Sequence, residues 1–223
     1  MQHPAHVKPA GVANRADSSR RILPFGQPTL LFLFLCGAAF GCRSSPLKIT
    51  DQQQLLQQLK QRLGPHLGKD IQIPHYVRDD MVATTKAYLS KDAGAPSLRA
   101  RELQKILFEP SMLGMSFKPT ESFSAIETWE RKGGNCMALA ALYIGLARRI
   151  GLRAYYVDVS HRVEDVSHSG DITVRTGHVV AAVATERGML TLDLGKQLGD
   201  MVSYRLMDDF EAVAHLYNNR ALH

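Results

Sequence analysis

The chain has 223 residues, enough for one domain of ordinary size plus additional segments. With 45% hydrophobic and 22% charged residues, the composition is globular and furnishes a core at this length. The formal net charge is +6, yet no basic stripe is interleaved with aromatics, which argues against nucleic acid as a partner.

Residues 1–28 are polar, basic and proline-containing, and an apolar run, Thr29–Phe40, follows them. That run falls short of the roughly 20 apolar residues needed to span a bilayer. A basic start, a short apolar stretch and small residues before a break read as a secretory signal over residues 1–41. The break itself, Ala38–Cys42 ("AAFGC"), resembles a bacterial lipobox. The resemblance implies a lipid on Cys42, and so an exported lipoprotein anchored at the membrane on the periplasmic side of the cell envelope. Loss of residues 1–41 removes four Lys/Arg and one Asp, taking the charge from 27−21 = +6 to 23−20 = +3. Of the three cysteines, Cys36 lies in the leader and Cys42 would carry lipid. Cys136 is then left without a partner in its own chain, which weakens a disulfide reading.

Residues 42–50 read as a short polar tether. Asp51–Gly64 follows as a helix with Leu55, Leu56, Leu59 and Leu63 on one face and Gly64-Pro65 as its stop, within an N-terminal helical segment 51–75. Residues 76–91 and 97–109 are further helices, and Phe108–Ser122 has the punctuation of an irregular connection. Ser122–Gly134 contains a short helix running into a Gly-Gly turn. Asn135 is a good N-cap for the next helix, which is apolar on nearly all sides from Met137 to Ala147 and therefore buried. Arg148 and Arg149 suit the negative end of its dipole, and Gly151 its C-terminal stop. Arg153–Ser160 reads as a strand, Val159–Asp171 as a polar surface loop, and Thr173–Gly195 as a β-hairpin turning near Glu186–Arg187. Asp208–His223 closes the chain as an amphipathic helix. The order predicts an α+β fold: N-terminal helices and a buried cysteine-bearing helix packed on an antiparallel β-sheet.

Cys136 stands at the first turn of the buried helix. Unpaired backbone N–H groups and the helix dipole favour a negative charge there, lower a cysteine's pKa and can receive an oxyanion. On the helix alone, a nucleophile and an inert core thiol remain equally open. The hairpin separates them. A two- or four-residue loop centred between Glu186 and Arg187 makes paired positions sum to 373, which sets Asp193 opposite Val180. His178 then shares a face with Asp193 as a diagonal neighbour, about 7–8 Å away at the backbone, within reach of a His–carboxylate contact. A three-residue loop would put them on opposite faces. A carboxylate holding an imidazole beside a helix-start cysteine is the thiol form of triad logic. His161 and His168 with His178 match no common zinc spacing, so no metal and no cofactor is expected.

"TWERKGGNCMALAALYIGLARRIGLRAYYVDV", then "GHVVAAV", then "LTLDLG" resemble the transglutaminase-like superfamily of papain-like thiol enzymes. The resemblance covers residues 76–223. It implies a triad of Cys136, His178 and Asp193, with the Cys136 N–H in the oxyanion hole. It also implies thiol-dependent chemistry at an amide bond, by hydrolysis or acyl transfer, through an acyl-enzyme. The substrate would be a protein, a peptide or a cell-wall peptide. A catalytically silent module of the same fold, binding a protein or cell-wall partner, is the alternative.

Overall fold

Local signals place the helices. The computed structural model describes residues 49–67, 71–92, 94–159, 165–169, 172–176, 178–194 and 204–221. The expected leader, Cys42, His161 and most of the tether lie outside them. Helix α1, Gln52–Leu67, breaks at Gly64, whose φ of 76° lies in the region that favours glycine. Helix α2, Asp79–Tyr88, is shorter than the pattern over 76–91 suggested, and α3 spans Pro96–Phe108 with Pro96 in its first turn. Helix α4, Ala125–Arg131, opens with a reciprocal cap. Ser124 N–H donates to Glu127 Oε2 at 2.7 Å, and Glu127 N–H donates to Ser124 Oγ at 3.5 Å.

The segment read as an irregular connection contains a strand. β1, Ser116–Phe117, pairs in parallel with β2, Gly133–Gly134. The pairing depends on glycine. A Cβ on Gly133 would sit 2.5 Å from the Ser116 carbonyl oxygen, and one on Gly134 would sit 2.6 Å from Ala138 Cβ. The Gly-Gly turn is therefore a close backbone approach that seats the next helix.

That helix, α5, Cys136–Arg149, is buried at every residue from Met137 to Ala147. Around it lie α2, α3, α4, strand β3 (Ala154–Asp158), strand β6 (Val179–Thr185) and the terminal helix α6 (Asp209–Ala221). β3 and β6 form the centre of a four-stranded antiparallel sheet of order β7-β6-β3-β8, with β7 at Gly188–Leu192 and β8 at Arg205–Met207. Ala154, Tyr156, Val179, Ala181, Val183 and Leu192 join the main core with α5. Val157, Val159, Val180 and Ala182 alternate onto a second cluster, so both faces of the central strands are buried. The architecture is mixed α/β, helices on an antiparallel sheet.

Two expectations for the strands change. Residues 159–171 are not one loop: β4, Asp165–Ser169, pairs with β5, Ile172–Thr176, in a separate antiparallel hairpin. The hairpin carrying Val179–Leu192 thus starts after Thr176, not at Thr173. Polar alternation hid β4, because a strand pattern without an apolar face reads as loop. On α1, Leu55 and Leu59 pack with Ile73 and with Val213 of α6, whereas Leu63, beside the helix break, is exposed.

The C-terminal end of α5 is held by a buried polar cluster. Arg148 donates to Asp209 from both Nη atoms, at 2.9 and 3.0 Å, and its Nη1 lies 3.1 Å from His75 Nε2. Arginine only donates, so Nε2 accepts, and Nδ1–H faces the Tyr156 hydroxyl at 3.3 Å. Burial, then the Arg148 charge, lower the His75 pKa from 6.5 to about 4, with Asp209 opposing. His75 is thus neutral when folded. Between about 4 and 6.5 the unfolded chain binds the extra proton, so stability falls as pH drops through that window. Urea unfolding from pH 7 to 4 should lose up to about 1.4 kcal/mol per pH unit from this group, and His75→Gln should flatten the slope. Nearby, a Cβ on Gly145 would overlap the His75 carbonyl oxygen. Gly145→Ala should therefore cost about 1–3 kcal/mol in the same unfolding assay, as overpacking does.

Candidate active site

Asn135 precedes the buried helix with extended backbone, and its Oδ1 accepts from the Ala138 N–H at 3.0 Å, as an N-cap should. Its own N–H donates to the Glu121 carbonyl at 2.8 Å, and its Nδ2 donates to Ser122 Oγ at 2.5 Å. The residue before Cys136 is therefore pinned on both backbone and side chain. Cys136 is the first residue of α5 and is partly exposed, and it is the free cysteine among the described residues.

The sheet brings the other two residues to it. Thr185 pairs with Gly188 and Ala181 with Leu192, so the loop is Glu186–Arg187 and paired positions sum to 373, the register the turn predicted. His178 lies one residue before β6 and Asp193 one residue after β7, at the same end of the sheet. The ladder also holds His178 by its backbone, because Val159 N–H donates to the His178 carbonyl at 2.9 Å. His178 Nε2 stands 3.4 Å from Asp193 Oδ1, longer than a strong N–H···O bond but within ion-pair range. The two side chains are 7% and 9% exposed, so both are largely covered.

The Cys136 thiol and the His178 imidazole are electrostatically coupled, and His178 Nε2 faces Asp193 on its other side. Burial pushes the Cys136 pKa up, but the His178 hydrogen bond, the Val179 N–H, the His178 charge and the Met137 N–H together bring it below the ordinary value. Burial likewise disfavours a charged His178, but contacts with Asp193 and Cys136 outweigh it and raise the His178 pKa to about 9. The two shifts act in the same sense: each favours moving the thiol proton onto the imidazole.

All three residues expected from the sequence thus meet in one place. The Val179 N–H, which also lowers the thiol's pKa, carried no signal, because a backbone group in a valine-rich strand looks like any other. Trp129 is partly buried against the main core, with Lys132 Nζ 5.0 Å from its ring centroid. No group of three or more potential metal-ligating side chains occurs among the described residues. No protein-family profile, curated protein or solved structure matches the chain at a significant level.

The paired shifts predict a two-step alkylation profile. Iodoacetamide should label Cys136 well below the free-thiol pKa of about 8.5, as the thiolate–imidazolium pair forms. A second step should appear near about 9, as His178 loses its proton. His178→Ala should remove that step and move the first one upward.

Proposed function

We propose that the chain is a thiol enzyme of the transglutaminase-like, papain-like type, acting on amide bonds through Cys136, His178 and Asp193. The observation that carries this reading is the helix-start thiol coupled to an imidazole whose Nε2 stands 3.4 Å from the Asp193 carboxylate. A buried helix presenting its first residue to the end of an antiparallel sheet also fits the fold that the sequence resembles. The short polar segment and Cys42 ahead of the described domain fit an exported lipoprotein, with protein, peptide or cell-wall peptide as substrate in the envelope.

The chemistry follows from the arrangement. The Cys136 thiolate attacks the amide carbonyl carbon, and the carbonyl π electrons move onto oxygen. That oxyanion falls beside the Cys136 N–H at the start of α5, where the dipole and the unpaired donors favour negative charge. As the tetrahedral adduct collapses, the C–N bond breaks and the His178 imidazolium gives its proton to the departing amine. A thioester remains on Cys136. His178, now neutral, takes a proton from water or from an acceptor amine, which attacks the thioester and releases the acid or the new amide. Asp193 fixes the ring and stabilises its charged form throughout.

Purified protein should be incubated with peptides and muropeptides, and Cys136 examined by mass spectrometry for a hydroxylamine-labile acyl adduct. Cys136→Ala should abolish both the adduct and amine release. Asp193→Asn should slow turnover by about 10²–10⁴-fold, the range typical of lost general acid–base function. Turnover that survives Cys136→Ala overturns the mechanism. A reactive, low-pKa thiol that never acylates would favour the silent binding module.

A further inference from the structure

Helix α6 is tied directly to the end of α5 and, through segment 121–124, to the residue that caps its start. At its start, Asp209 takes both Nη atoms of Arg148, on the last turn of α5. Near its end, Arg220 spreads three nitrogens over three acceptors. Nε donates to the Ser122 carbonyl at 3.2 Å, Nη1 donates to Gln72 Oε1 at 2.9 Å, and Nη2 pairs with Glu127 Oε2. Glu127 is itself tied back to Ser124, whose N–H and Oγ reach Oε2 at 2.7 and 2.8 Å.

Segment 121–124 therefore has two sides. On one side Arg220 clamps it. On the other it holds Asn135, through Ser122 Oγ and the Glu121 carbonyl. A single residue, Ser122, separates the guanidinium from the side chain that caps the nucleophile's helix. Arg220, Glu127 and Ser122 are partly or fully buried, so the clamp is more than a solvated surface pair.

We infer that Arg220 is a positioning residue for Cys136, acting through Ser122 and Asn135. The inference rests on the thiol-enzyme reading above. Arg220 does not touch the thiol. It sets where α5 begins, and hence how well the Met137 and Val179 N–H groups and His178 meet the sulfur. The task needs arginine, because three divergent acceptors match the guanidinium fork and not a single ammonium.

The test uses the full chain and reads the pH profile of Cys136 alkylation by iodoacetamide in wild type, Arg220→Ala, Arg220→Lys, Ser122→Ala and the Arg220→Ala/Ser122→Ala double variant. Urea unfolding of each is measured in parallel. Arg220→Ala should shift the acid limb upward by about one pH unit, making labelling about tenfold slower within the limb. Arg220→Lys should recover part of that shift. Ser122→Ala should move the limb the same way, and the double variant should shift it no further than the larger single change, as expected of residues on one path. Lost stability alone, in variants that remain folded, does not move the limb. The inference is overturned if the limb stays put in the folded variants, or if the two single shifts add in full. Should Arg220→Ala fail to fold, Ser122→Ala and Arg220→Lys decide by the same criterion. A wild-type thiol with no depressed limb would instead sink the thiol-enzyme reading itself.

Discussion

The structure depends on the burial of α5. Eleven consecutive residues, Met137 to Ala147, are shielded from water, with helices and the central sheet strands packed around them. A helix surrounded on all sides cannot slide or rotate without disturbing several interfaces, because protein interiors are close-packed. Gly145 makes this concrete: its missing side chain lets the His75 backbone lie directly against the helix. The first residue of such a helix is as well fixed as a side chain can be, and that residue is the cysteine.

The ends of α5 are capped locally, by Asn135 in front and by the backbone N–H groups of Ile150, Gly151 and Leu152 behind, and each end is also tied to distant parts of the chain. The front is held by Asn135, whose side chain caps the helix and grips Ser122. The back is held by the Arg148–Asp209 pair, which is 13% and 3% exposed and backed by neutral His75. A pair so deeply buried persists only because nearly every donor has an acceptor, since desolvation otherwise outweighs attraction. Ser122, which meets the Asn135 side chain, accepts in turn from Arg220 of the last helix, 98 positions away.

Much of the site was legible because it rests on periodicities. Side-chain alternation in a strand has a period of two, and a two-residue loop fixes register, so His178 and Asp193 could be set on one face from Glu186–Arg187 alone. The N-cap role of Asn135 was legible for the same local reason. The β4–β5 hairpin was not, because β4 has one apolar residue, Val166, among polar ones. The β1–β2 pairing was not, because two-residue strands leave no pattern, and only the close approach at Gly133 and Gly134 gives them away. Leu63 failed as a core residue because the chain breaks at Gly64, before a fourth leucine can reach the cluster.

The sequence by itself determined the helices, the hairpin register and the three candidate residues, all of which depend on neighbours within a few positions or on one turn. Tertiary structure alone decided that Cys136 and His178 come together, because that requires the tip of α5 to meet the start of β6, 42 positions further along the chain (178−136). It also decided the direction of the pKa shifts. Whether a thiol loses its proton or an imidazole keeps one depends on burial and on the groups brought within hydrogen-bonding distance, and no local pattern in the chain encodes those distances.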